Sequence, residues 1–122
     1  MVGKLTWYEI AVTDLERAKT FYEKVLGMDF EYIEMPGTKM YMQNVDHAKG
    51  EIGGALVLAD DNTPASNGTI IYFNSDDCDD EVPLIEPAGG KLLFPKTSIG
   101  EFGNIIQFID TEGNRIGIHS TK

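Results

Sequence analysis

Residues 6–27 read TWYEIAVTDLERAKTFYEKVLG, a strand followed by a helix, and the phases of the two decide how the chain folds. Tyr8, Ile10 and Val12 share one face of a period-two strand, and Trp7, Glu9 and Ala11 share the other. Thr13 and Glu16 have capping-box spacing, after which Leu15, Ala18, Tyr22 and Val25 recur at helical intervals, with Phe21 and Leu26 widening the stripe. Gly27 closes the helix as a left-handed cap. Packing the Tyr8 face on this stripe leaves Glu9 on the other face, between an indole and a methyl group. A carboxylate there either meets water or lines a cavity.

Working outward, three strand-like segments follow: DFEYIEM, TKMYMQN and EIGGALVLA, separated by the turns PG and VDHAKG. A polar loop at residues 60–68 ends this first βαβββ unit. The order then repeats. TIIYFNSDD reads as a strand, CDDEVPLIEPAGG as an acid-capped helix, and KLLFP, FGNIIQFID and NRIGIHS as three strands around the turn DTEGN. The interval from Asp14 to Gly27 equals that from Asp76 to Gly89, and Gln43, Asp46 and Ile52-Gly53 lie opposite Gln107, Asp110 and Ile116-Gly117. A period of about 62 to 64 residues means two copies of one supersecondary unit. Pro83 and Pro87 limit the second helix to about two to three turns. The expectation is an α+β fold in one domain, residues 1–122, with module 1 at about 1–60 and module 2 at about 68–122. Each sheet covers one face with its helix, and the other faces curve around a shared cleft.

Composition narrows the function. Twenty acidic residues against ten basic ones give a formal charge of -10, which repels nucleic acid, and no local basic patch offsets it. No apolar run is long enough to span a bilayer and no cleavable leader pattern opens the sequence, so the expected setting is the cytoplasm without membrane partners. Cys78 is the sole cysteine, so no internal disulfide forms, and one thiol with two histidines has no zinc-type spacing.

The run EIAVTDLERAKTFYEKVLGMDF, with AGGKLLFP and FIDTEGNRIGI in the second half, resembles the vicinal oxygen chelate superfamily, which includes glyoxalase I, bleomycin-resistance proteins and extradiol dioxygenases. The likeness covers nearly the whole chain and is greatest to small glyoxalase-related members. It implies paired βαβββ modules, a cleft formed by both and commonly a homodimer in which modules of one or both chains complete each cleft. Metal-dependent members bind one divalent ion through His, Gln and Glu side chains from four strands. Carried over, those positions fall on Trp7, on Gly53 or Gly54, on Thr69 or a residue beside it, and on Gly117. An indole, glycines and one hydroxyl do not make such a site, so no cofactor is expected there.

Three functional readings remain. Glu9, Glu51 and His119, each two residues from a family position and on its face, could form a displaced metal site for a lyase, isomerase or dioxygenase. His119 near the C-terminus and His47 in its turn also fit plain surface positions. Glu9 could serve without metal as a general base, with His119 as its acid, or could order the cleft through hydrogen bonds to Thr69, Tyr41 or a backbone amide. The leading expectation is a binding module without turnover, as in bleomycin-resistance-type relatives. Trp7, Tyr41, Phe73 and Phe102 would supply walls, Thr69 a hydroxyl, and Glu9 the selection of a cationic or aromatic small molecule. Aromatic residues at strand spacing also serve simply as core.

Overall fold

The computed structural model describes residues 2–122, and its two four-stranded sheets follow one plan. Strand β1 (Trp7–Ala11) leads into helix α1 (Leu15–Leu26), then β2 (Phe30–Met35), β3 (Thr38–Gln43) and β4 (Gly53–Ala59). The second half gives β5 (Tyr72–Asn74), the short helix α2 (Val82–Ile85), β6 (Lys91–Ser98), β7 (Asn104–Ile109) and β8 (Arg115–Ser120). Sheet orders are β1-β4-β3-β2 and β5-β8-β7-β6, with the first pair of each parallel and the rest antiparallel. The expected α+β fold of two tandem βαβββ modules is the observed one. No helix among the described residues is long and apolar enough to cross a membrane.

Helix α1 forms where its periodicity places it, burying Leu15, Ala18, Phe21, Tyr22 and Val25. Its stop is Gly27 at φ 63, whose N–H closes on Glu23 while Met28 N–H reaches back to the Tyr22 carbonyl. Its start differs from the expected capping box. The cap is Asp14, which accepts from the Arg17 amide at 3.0 Å. Thr13 turns its amide and hydroxyl to Glu112 instead, and Glu16 accepts from the Tyr41 hydroxyl. The reason for the displacement lies outside the local sequence: a carboxylate from the other module occupies the space in front of the helix.

Module 2 is a reduced copy. Its expected first strand shrinks to Tyr72–Asn74, and the helix breaks into a single 3-10 turn at Cys78–Asp80, capped by Asp77, and four residues of α2. Pro83 suits a helix start, but Pro87 brings no N–H to the carbonyl four residues before it, which ends the helix. By contrast β6 runs past the expected KLLFP, through Pro95 to Ser98. It is an edge strand with register shifts, so a missing donor costs it little.

One hydrophobic cluster joins the modules. Ile10, Val12, Phe21, Tyr22 and Leu56 from the first half pack with Cys78, Ile85, Ile106, Phe108 and Ile118 from the second. Phe21 meets Phe108 at 5.7 Å between ring centroids, and Tyr8 meets Phe73 edge-on at 5.5 Å. These are the helix-bearing faces of both sheets. On the opposite face of the first sheet, Met40, Ala55 and Val57 cluster with Ile33 and Ala59, all from module 1. The faces expected to curve around a common cleft are therefore not the ones that join the modules within one chain. Helix α1 is apolar enough to be covered on two sides, and the second sheet supplies the second cover.

Polar bonds lock this joint. Glu112, in the turn between β7 and β8, accepts from six donors: the amides of Thr13 and Asp14, the hydroxyls of Thr13 and Thr111, and Nε and Nη2 of Arg17. Beside it, buried Tyr22 donates to Asp110 at 2.6 Å, and Asn114 donates to the Ala11 carbonyl at 2.7 Å. The Glu112 side chain is fully covered. Burial alone would raise its pKa, but the Arg17 guanidinium, the two amides and Thr111 outweigh burial and bring it down to about 2. A depressed carboxylate stabilises the fold above its ordinary value of 4.5 and loses that contribution as pH falls toward 2. Solvent screening of the half-exposed Arg17 keeps that contribution below about 3 kcal/mol. Glu112→Gln is accordingly expected to lower the urea midpoint at pH 7, with the gap to the parent closing between pH 5 and 2. A gap that stayed constant with pH would assign the loss to packing rather than charge.

Candidate functional site

The open face of the first sheet carries most of the residues singled out from the sequence. Strand register sets Trp7 beside Gly53, Glu9 beside Ala55 and Met42, and Ala11 beside Val57 and Met40. Trp7 is 39% exposed, and its indole Nε1 donates to Glu9 Oε2 at 3.3 Å. Glu9 is exposed along this wall. A Cβ on Gly53 would meet the His47 ring at 3.1 Å, Val45 at 3.2 Å and Trp7 at 3.4 Å. His47, read as a turn residue, thus leans its ring over Gly53 although it remains exposed.

The open face of the second sheet has a row that the sequence reading did not find. Tyr72 pairs with Gly117 and Gly117 with Gln107, while Phe94 pairs with Gln107 on the far side. Gln107, 6% exposed, donates from Nε2 to the Tyr72 hydroxyl and accepts at Oε1 from Arg115 Nε at 2.8 Å. A guanidinium can only donate, so it fixes which end of the amide faces which neighbour. The repeat comparison had matched Gln107 to Gln43 by letter. Gln43 indeed accepts from Tyr8, and Tyr8 lies across Gly54, giving the same Tyr-Gly-Gln row. Yet Tyr8 packs against the core while Tyr72 stands on the open face, 42% exposed. The two rows carry the same letters on opposite sides of their sheets.

The remaining expected residues are dispersed. Tyr41 lies on the helix side of the first sheet, stacked edge-on with Tyr32 and bonded to Glu16. Phe73 packs against the core. Phe102 is 69% exposed on a 3-10 turn, and its carbonyl is bonded to His119 Nε2. Thr69 lines a groove with Glu9 but lies three residues before the residue paired with Gly117, which is Tyr72. The aromatic wall of Trp7, Tyr41, Phe73 and Phe102 is therefore not assembled within one chain. Larger hollows lie at the β2–β3 hairpin, where Met35 reaches the edge of the first open face, and under the start of α1.

The donor set does not fit a divalent ion. Where the resemblance places ligands there are an indole, two glycines and one hydroxyl, the strand register sets Tyr72 rather than Thr69 beside Gly117, and an aromatic ring from the neighbouring strand lies against each glycine. The displaced set is not assembled either. Glu51 accepts from the Asp46 amide, His119 is held at Phe102, and Glu9 at Trp7. No three His, Cys, Asp or Glu side chains converge among the described residues.

The glycine rows predict unequal costs. A Cβ at Gly54 or Gly117 would come 2.2 Å from a tyrosine ring, but Tyr8 is confined by Phe73 while Tyr72, 42% exposed, gives way toward solvent at the cost of its bond from Gln107. Gly54→Ala is expected to cost about 3 kcal/mol and Gly117→Ala about 1 kcal/mol in urea unfolding. Equal costs would mean that Tyr72 is as confined as Tyr8.

Comparison with known proteins places this geometry. The family model described as Glyoxalase/Bleomycin resistance protein/Dioxygenase superfamily matches residues 4–118. A glyoxylase-like domain-containing protein of Didymella fabae is 33% identical over 118 residues, covering 92% of this chain and 89% of its own. The mycobacterial glyoxylase-type protein CFP32 of Mycobacterium bovis is 26% identical over 95% of this chain, and the chain spans only 45% of its length. Among solved structures, glyoxalase I from Zea mays superposes with a TM-score of 0.73 at 22% identity, over 94% of this chain and 45% of that one. The fosfomycin resistance protein FosX from Listeria monocytogenes gives 0.77 at 15% identity, over 100% and 94% of the two chains. At these identities the structural likeness speaks for the fold.

Proposed function

We propose, from the premise that this chain belongs to the Glyoxalase/Bleomycin resistance protein/Dioxygenase superfamily, that it binds a small organic molecule on its open sheet faces without a resident metal. The observation that carries this reading is the substitution of ring for ligand. Trp7 beside Gly53 and Tyr72 over Gly117 put flat apolar surface where metal-dependent relatives are expected to present donors. Glu9, held by the indole, adds one negative charge to that surface and favours a cationic, planar guest.

The rest of the binding surface comes from a second copy. Trp7, Met35, Ile33 and Met42 leave one open face apolar and partly exposed, and a chain with such a patch gains by covering it. In a homodimer the second module of the partner would face this sheet and close the pocket. The alternative reading, a lyase, isomerase or dioxygenase with displaced ligands, has less support because Glu9, Glu51 and His119 are each engaged elsewhere.

The chain has a single tryptophan, so its emission reports on this face directly. Titration with planar aromatic amines is expected to give a saturable change in Trp7 fluorescence, with the amine recovered unchanged. Glu9→Gln is expected to weaken binding about tenfold. Conversion of the amine, or a stoichiometric divalent ion required for binding, would replace this reading with an enzymatic one. Sedimentation at micromolar concentration is expected to show a dimer, and a monomer would remove the second copy from the scheme.

A further inference from the structure

The modules also meet outside their shared core, in an open groove of about 210 Å³ between the end of β1, the linker after β4 and the start of β8. Glu9 from β1 and Arg115 from β8 both line it, together with Asn62, Thr63, Asn67 and Thr69. Among the described residues Arg115 has no carboxylate within 4.0 Å, and Glu9 has no cation within that distance. Two opposite charges thus line one small space without being joined to each other.

Arg115 is also held for use. Its Nε is spent on Gln107, whose amide in turn bonds Tyr72, while its two terminal nitrogens have no hydrogen-bond partner among the described residues. A guanidinium anchored at Nε presents its remaining N–H groups in a fixed direction, suited to a carboxylate. Glu9 is tethered similarly, with Oε2 on the Trp7 indole and no partner for Oε1 among the described residues. The space is smaller than the roughly 300–1,000 Å³ typical of drug-sized ligands, so a guest has few heavy atoms.

We propose that this groove binds a small zwitterion of the amino-acid class, its ammonium group on Glu9 and its carboxylate on Arg115. The proposal rests on the reading that a small molecule binds beside Glu9, and it adds a second recognised charge to that molecule. The amide and hydroxyl rim satisfies the remaining polar atoms of such a guest. A purely cationic molecule would meet Glu9 but leave the guanidinium without a partner, so in this groove a zwitterion has the advantage over it.

Calorimetric titration of the full chain with glycine, β-alanine and 4-aminobutanoate varies the spacing between the two charges, and butylamine and butanoate each supply one charge alone. At least one amino acid is expected to bind, about tenfold or more tighter than either single-charge compound. Glu9→Gln and Arg115→Gln are each expected to remove that advantage, and Arg115→Lys to restore part of it. Because Arg115→Gln also releases Gln107, its thermal midpoint is measured first; if it has unfolded, Glu9→Gln and the comparison of compounds on the parent protein decide. Butylamine binding as tightly as the best amino acid would overturn the zwitterion while leaving the cationic guest intact. Failure of all five compounds, with planar amines still perturbing Trp7, would also overturn it. Failure of the planar amines as well would remove both readings.

Discussion

The carboxylate of Glu112 is the point on which the two halves depend. Asp14 caps the Arg17 amide of helix α1 from within the module, but the amides of Thr13 and Asp14 at its entry are satisfied from the other module, and an unpaired amide is costly. Glu112 takes those of Thr13 and Asp14, and its negative charge sits at the end of the helix where the backbone dipole favours it. Arg17, one turn further on, supplies the counter-charge. The charge is thus stabilised by a helix that it also caps, and neither arrangement survives without the other module in place.

The same turn does more than cap. Asp110 accepts from the amides of Glu112 and Asn114, which sets the turn, and from Tyr22, which ties it to the buried side of α1. Asn114 continues inward to Ala11 and accepts from Ala65 in the linker. Strand, helix, linker and turn therefore converge within five residues, DTEGN. The matching turn of the first module, VDHAKG, has no such reach. Asp46 and Glu51 bond within the turn itself, and His47 leans over Gly53. The repeat is one of element order, and the polar contacts that hold it together are asymmetric.

This asymmetry explains what could be read in advance. The stripe of Leu15, Ala18, Tyr22 and Val25, the stop at Gly27 and the doubled element order are local signals, and each is written in residues close together in the chain. The helix cap moved by one residue because its competitor sits 99 positions away from Thr13, where local spacing carries no information. The broken second helix follows from Pro83 and Pro87, which predict a short helix but not one of four residues. Alternation, with the Tyr8 face packed on the helix stripe, puts Trp7 and Glu9 on the opposite face of β1, where they lie, whereas Tyr41 and Phe73 lie on the core side. Alternation gives a face within a strand, and only the tertiary arrangement says which face is open. Tyr72, Gln107 and Arg115 come from two paired strands and a register that no single segment encodes. The TIIYFN alternation was a usable signal for Tyr72, had the phase been anchored on Phe73 in the core.

The distance between Glu112 and its donors bears on how the protein comes into being. Thr13, Asp14 and Arg17 are separated from it by 99, 98 and 95 residues. A chain made from its N-terminus therefore completes all of α1 and the first sheet well before the residue that caps the helix is synthesised. Until then Phe21 and Tyr22 have no second sheet to cover them. Contacts of such long sequence separation slow folding, since loop closure must precede the gain. The nascent first half is left with an uncovered apolar helix and an uncapped start, a state in which chaperone capture or pairing with another chain competes with the native partner.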